Sequence, residues 1–134
     1  HNTISTNDER LKLLTPLEYN KNPTKFDAVF SISSFEHYGL GRYGDNIDPE
    51  GDFKAMKDVK KNILKKNGVL FLAVPIGLDK IIWNAHRIYG KKRWKKLTEG
   101  FDILYSSGFS HQALEEDTGS AATEQPVVVL RIKS

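Results

Sequence analysis

The sequence predicts an α/β fold, in which helices pack on a mainly parallel sheet that ends in an antiparallel hairpin. Three apolar runs occupy residues 26–32, 69–74 and 127–132. The first two lack strict alternation, which is typical of strands buried on both faces of a parallel sheet. A helical pattern separates the first two runs, and strand, helix, strand implies a right-handed parallel crossover. A weaker strand at 103–106 precedes the last run, and pairing of these two would form the hairpin.

The composition is that of one globular domain spanning residues 1–134. Of its 134 residues, 39% are hydrophobic and 28% charged. No apolar run reaches the roughly 18 residues that a membrane helix needs, and no signal-peptide pattern opens the chain. We therefore expect a soluble domain, in an undetermined compartment. The absence of cysteine excludes disulfides and thiolate metal sites. The net charge of +3 permits an anionic partner without indicating one.

The segment between the first two strands is predicted to be a helix. Asp48-Pro49 supplies an N-cap followed by proline, Phe53 and Met56 begin an apolar stripe, and Asn67-Gly68 is the expected stop. Acidic residues at the start and lysines at the end suit the helix dipole.

The other elements are predicted from weaker patterns. A second helix is expected over 78–97, with a possible break near Gly90, and a further strand over 10–14 before Thr15-Pro16. The polar stretch 110–124 is expected to be a flexible surface loop.

Several phrases resemble known families. The segment 25–31 with Glu36-His37 resembles the fourth strand of class I S-adenosylmethionine-dependent methyltransferases and the loop after it, and 64–70 resembles their turn into the fifth strand. Over 15–109 the chain more narrowly resembles the family called domain of unknown function 268. The phrases shared with that family are 31–37, 39–45, 74–77 and 84–90.

The resemblance implies a Rossmann-like, three-layer methyltransferase-type sandwich acting on a small-molecule or saccharide-like acceptor. Methyltransferases hold the cofactor with a glycine-rich turn after the first strand and an acid after the second, much as dinucleotide sites do. Neither precedes the strands here, and the first residue is His1 rather than Met. We therefore expect the N-terminal cofactor-binding part to be missing. S-adenosylmethionine is then expected only in a longer chain, and the segment alone is expected to be inactive.

The strongest candidate site follows the first strand, because open α/β sheets bind ligands beyond the carboxyl ends of their strands. The resemblance places Ser33 and Ser34 beside the cofactor. It places Glu36 and His37 where one of them could remove a proton from an oxygen or nitrogen acceptor. The alternative is that Glu36 and His37 cap the following turn and bond to backbone.

Two further segments are candidates for the substrate side. In the glycine-punctuated loop 39–45, Arg42, Tyr43 and Asp45 could contact a ligand, or the loop could be a rigid turn with Arg42 paired to Asp45 or Asp48. The other candidates, on the predicted second helix, are Asn84, His86 and Arg87. On a helix Asn84 and Arg87 would share a face that His86 does not, so a polar cap or surface network is the alternative.

Other classes of site receive less support. No spacing such as H-x-x-x-H joins the histidines, so we expect no metal site. The basic run 91–96 could meet phosphates with Trp94 stacking on a base, or be a solvated helix face with Trp94 and Leu97 in the core. We expect a small-molecule substrate and no nucleic-acid partner, with the oligomeric state open. The competing function is a catalytically silent Rossmann-like module that binds a ligand or partner.

Overall fold

The structure, a computed structural model, describes residues 5–119 and 125–134 and confirms the α/β character of the chain. Three α-helices and six strands follow one another along the described chain. In order, they are α1 (Pro16–Lys21), β1 (Phe26–Ile32), α2 (Gly51–Asp58), β2 (Leu64–Ala73), β3 (Lys80–Ile82), β4 (His86–Ile88), α3 (Lys91–Leu97), β5 (Phe101–Ser107) and β6 (Val127–Ile132). Short 3₁₀ turns cover Phe35–His37 and Gln112–Glu115, and a π-helical segment, Val59–Ile63, extends α2.

The main sheet is mixed, with strand order β1-β2-β6-β5. Its single parallel pair joins β1 to β2, while β6 lies antiparallel to both β2 and β5. The expected mainly parallel, Rossmann-like sandwich is therefore wrong. The last strand enters the sheet between β2 and β5, so two of the three pairings are antiparallel.

The core lies on one face of this sheet. Leu70 and Leu72 of β2 and Val128 and Leu130 of β6 are fully buried there. They belong to one cluster with side chains from α2, α3 and the first 3₁₀ turn, which include Phe35, Phe53, Met56, Trp94 and Leu97. Among the described residues, α2 and α3 thus form one layer against one side of the sheet.

The opposite face carries an apolar row that the described chain does not cover. Phe30 lies opposite Phe71, Phe71 opposite Val129, and Val129 opposite Tyr105, one residue from each strand. The rings of Phe30 and Phe71 stack with centroids 4.4 Å apart, yet Phe30 is 68% and Tyr105 65% exposed. This explains the missed prediction. The runs are apolar toward both faces, as in a three-layer sandwich, but described helices pack on only one.

The helix predicted between β1 and β2, which is α2 in the structure, ends before the expected stop at Asn67-Gly68. Helical backbone stops at Ile63, and Gly68 lies inside β2. A Cβ atom at Gly68 would lie 2.9 Å from the carbonyl oxygen of Asp27. The glycine therefore allows β1 to approach β2 closely instead of ending the helix.

The predicted helix over 78–97 is wrong in its first half, which folds as the antiparallel hairpin β3–β4. Asn84 lies in its turn with φ of 49°, a left-handed conformation that interrupts helical backbone. Asp79, which directly precedes the hairpin, accepts hydrogen bonds from three backbone amides that follow it, those of Gly90, Lys92 and Arg93. This side chain caps the start of α3, so the helix begins only at Lys91.

The remaining expectations fall at the edges of the chain. Residues 10–14 form no strand, and Thr15 and Glu18 instead make a capping box at the start of α1. Of the expected loop 110–124, Leu114 is buried in the second 3₁₀ turn, and residues 120–124 lie outside the described residues.

Candidate functional site

The turn after β1 brings the strongest candidates together at the carboxyl end of the parallel pair. Ser33 adopts a left-handed conformation with φ of 52°, which is uncommon outside glycine. Its amide donates to the carbonyl oxygen of Ala73 at 2.9 Å, so the turn is tied to the end of β2. The chain then enters the 3₁₀ turn that carries Glu36 and His37.

Glu36 is a buried carboxylate with only part of its hydrogen-bonding capacity used. Its side chain is 1% exposed. Oε1 accepts a hydrogen bond from the Ser33 hydroxyl at 2.7 Å and lies 3.6 Å from Nε2 of His37. Oε2 is buried and has no hydrogen-bond partner among the described residues. A buried acceptor left unpaired costs free energy, and Oε2 therefore retains an unused acceptor position in the interior.

His37 is held so that its second nitrogen faces Glu36. Nδ1 lies 2.7 Å from the carbonyl oxygen of Ala85. Because a carbonyl can only accept, Nδ1 carries the hydrogen, and Nε2 is left to hold or release a proton beside the Glu36 carboxylate. Of the two side chains, only His37 also lines the neighbouring pocket, so only its ring can exchange a proton directly with a molecule bound there, which is general acid–base chemistry. The backbone contact proposed as the alternative is also present.

His86 extends this pair into a cluster of three. Its ring lies edge-on to that of His37, with centroids 6.2 Å apart, and its Nε2 is buried without a partner among the described residues. Burial lowers the pKa of His86, the charges of His37 and Arg42 lower it further, and Glu36 opposes them. His86 is thus kept neutral near pH 7.

This pKa shift predicts an acid-side loss of stability. Above the ordinary histidine pKa of 6.5, His86 is neutral in both the folded and unfolded states. As the pH falls below that value, the unfolded state binds the proton first, so the free energy of unfolding decreases. We expect His86→Gln to reduce this decrease, measured by urea unfolding at about pH 7.5 and about pH 5.5. The exposed-site variant His111→Gln is the control, and an equal effect of both variants would contradict the assignment to His86.

A half-open pocket of about 340 Å³ adjoins the cluster. This volume is at the lower end of the range for small-molecule sites, roughly 300–1,000 Å³. It is lined by Ser33, Ser34, His37, Tyr38, Tyr43 and Asp45. Five of these were sequence candidates. Tyr38 was missed, although its position directly after Glu36-His37 was a usable signal.

The second wall of the pocket is a loop closed around Asp45. The Asp45 carboxylate accepts hydrogen bonds from the backbone amides of Gly39, at 2.7 Å, and Tyr43. Desolvation alone would raise the pKa of Asp45, but these amides outweigh it and lower the pKa. Asp45 is therefore a charged anchor of its own loop.

Arg87 is placed behind the pocket. Its side chain is fully buried, donates to the carbonyl oxygens of Tyr38 and Asp48, and lies 3.7 Å from the carboxylate of Asp52. It therefore supports the loop from behind and is not accessible to a ligand in this structure. No signal in the sequence indicates this role, because only the β3–β4 hairpin brings Arg87 under residues 38–48.

The other two candidates, Asn84 and Arg42, do not line the pocket. Asn84 is exposed in the turn of β3–β4, so the helical face that it was expected to share with Arg87 does not exist. Arg42 is exposed and lies over the ring of Tyr43, 5.6 Å from its centroid. Among the described residues it pairs with neither Asp45 nor Asp48, whose carboxylate bonds to Lys54 instead.

No group of three or more histidine, cysteine or acidic side chains in the described ranges is arranged to hold a metal ion. Within those ranges, too, every helix is too short or too polar to cross a membrane.

The chain matches a known protein family. The sequence model of the family described as "Caenorhabditis protein of unknown function, DUF268" matches residues 2–129. No curated protein and no solved structure shows significant similarity to the chain.

Proposed function

The chain belongs to the DUF268 family of Caenorhabditis proteins of unknown function, and from that premise we propose that it binds a small polar molecule beside Glu36 and His37 and removes a proton from it. The observation that carries this proposal is the pair of the buried Glu36 and the partly buried His37. One nitrogen of His37 is committed to the Ala85 carbonyl, and the other faces the carboxylate at 3.6 Å. Such a pair can accept a proton from a hydroxyl or amine.

The reaction we propose for this base is methyl transfer from S-adenosylmethionine to that hydroxyl or amine. The support is the likeness of 25–31, Glu36-His37 and 64–70 to methyltransferase phrases. The described residues can bind the acceptor beside His37, but they do not provide a binding site for the cofactor. The glycine-punctuated loop closes on Asp45 instead of around a ligand, and Ser33 donates its hydroxyl to Glu36. The role assigned to this chain is therefore deprotonation of the acceptor alone.

A silent ligand-binding module is the second candidate. One observation favours it: the Glu36 carboxylate lies behind the pocket wall, since Ser33 and His37 line the pocket and Glu36 does not. A ligand could then occupy the pocket without exchanging a proton.

Turnover and binding separate these candidates in the full-length protein. We expect calorimetry to show binding of S-adenosylmethionine, and labelled methyl groups to appear on members of a panel of small alcohols and amines. Glu36→Gln and His37→Gln should each lower turnover by roughly 10²–10⁴-fold and leave cofactor affinity nearly unchanged. Glu50→Gln, which changes an exposed acid, is the matched control.

Two results would count against the proposal in different ways. No binding at millimolar S-adenosylmethionine would remove methyl transfer. Turnover that survives both substitutions at Glu36 and His37 would remove the acid–base role and leave the pocket as a binding site only.

A further inference from the structure

A second cleft, remote in the fold from Glu36, is lined by lysines. It has a volume of about 370 Å³ and lies between the last turns of α3, the turn into β5 and the end of β6. Its lining residues are Lys92, Lys95, Lys96, Thr98, Glu99, Gly100 and Lys133. The amide of Lys133 donates to the carbonyl oxygen of Gly100 at 2.9 Å, which fixes the end of β6 beside α3.

The lysines of this cleft differ in their partners. Lys96 pairs with Glu50 at 2.7 Å and lies over the ring of Phe53. In the described part of the chain, Lys92, Lys95 and Lys133 form no ion pair through their ammonium groups. Lys92 and Lys95 are three residues apart on one helix face, and the fold adds Lys133 from the far end of the sequence. Glu99 is the only acidic residue lining the cleft among those described.

The aromatic residue of the basic run is not available to a ligand. Trp94 is buried and stacks on Phe109, with ring centroids 4.9 Å apart. Leu97 is also buried, so the interpretation of these two residues as core anchors is confirmed. Single-stranded nucleic acid is bound by basic grooves combined with exposed aromatic rings, and this cleft lacks such a ring.

We propose that the cleft of Lys92, Lys95 and Lys133 binds a phosphate group, free or as the phosphomonoester of a small molecule. These three ammonium groups line the same cleft, and an anion with several acceptor oxygens can accept hydrogen bonds from more than one of them. The Thr98 hydroxyl cannot contribute, because it donates to the carbonyl oxygen of Trp94 at 2.9 Å. Recognition therefore rests on the ammonium groups, and it is independent of the function proposed above.

The test is an NMR titration of the protein with inorganic phosphate, and in parallel with glycerol phosphate, following the backbone amides of Thr98 and Gly100. Both amides should shift in a saturable manner, and added salt should weaken binding. Tighter binding of glycerol phosphate would identify a phosphomonoester as the ligand, and equal binding would identify free phosphate.

The variant Lys92→Gln/Lys95→Gln/Lys133→Gln should weaken phosphate binding by about tenfold or more. The charge-matched control is Lys12→Gln/Lys25→Gln/Lys66→Gln, which alters exposed lysines outside the cleft. The proposal is overturned if both triple variants lose the same affinity, if neither amide shifts, or if the protein binds only an oligonucleotide.

Discussion

Replacing Asp52 by alanine should lower the free energy of unfolding by about 3–5 kcal/mol, because it leaves a buried cation without its counter-charge. Asp52 and Arg87 are both fully buried. The same carboxylate accepts from Arg93 at 2.9 Å and from the Tyr89 hydroxyl at 2.8 Å. Burial, and then the Asp52 charge, raise the pKa of Tyr89 far above its usual range, so its hydroxyl remains a donor.

Urea unfolding at neutral pH measures this loss. Asp58→Ala is the matched control, since Asp58 is an exposed acid of the same helix whose described contact is a hydrogen bond from Asn62. We expect that control to cost less than about 1 kcal/mol. If Asp52→Ala cost no more than Asp58→Ala, the buried cluster would not be a principal source of stability.

The second large effect is expected at Gly39, where the pocket loop begins. A Cβ atom there would lie 2.0 Å from the carbonyl oxygen of Asp48, and φ is +77°. The left-handed conformation costs a non-glycine residue roughly 1–2 kcal/mol, and the clash adds roughly 1–3 kcal/mol. Gly39→Ala should therefore either destabilise the protein by these amounts together or displace the loop from the pocket.

The variant Gly44→Ala separates the cost of the steric clash from the cost of the left-handed backbone conformation. Gly44 has φ of +82°, and a Cβ atom there would meet nothing within 4 Å. It should lose only the conformational part, roughly 1–2 kcal/mol. Chemical denaturation gives both losses, and limited proteolysis reports movement of the loop. Equal losses at the two glycines would mean that contact with Asp48 does not constrain the loop.

Strands were predictable from the sequence where the residue pattern is compatible with only one kind of secondary structure. The runs 26–32 and 127–132 are strands with the predicted bounds because β-branched and aromatic residues dominate them. The layer count was not predictable, since an apolar side chain at Phe30 or Tyr105 looks the same in sequence whether or not something covers it. The β3–β4 hairpin was missed because its turn depends on Asn84 and on the reach of Asp79 to Gly90.

The sequence predicted which residues lie near the candidate site, but it did not predict what each side chain contacts there. Ser33, Ser34, His37, Tyr43 and Asp45 do line one pocket. The burial of Arg87, however, depends on the hairpin placing it under the carbonyl oxygens of Tyr38 and Asp48. Sequence shows the charge of a side chain, and only tertiary packing decides whether that charge meets a ligand or the backbone.

The row of Phe30, Phe71, Val129 and Tyr105, which the described residues leave uncovered, affects the behaviour of the chain in water. A monomer with a contiguous apolar strip on a sheet face lowers its free energy through any contact that removes the strip from solvent. Excluded salts such as sulfate strengthen that tendency, and urea weakens it. We therefore expect this row to lower the solubility of the chain at high protein concentration and in sulfate, although none of its four side chains lines the candidate pocket.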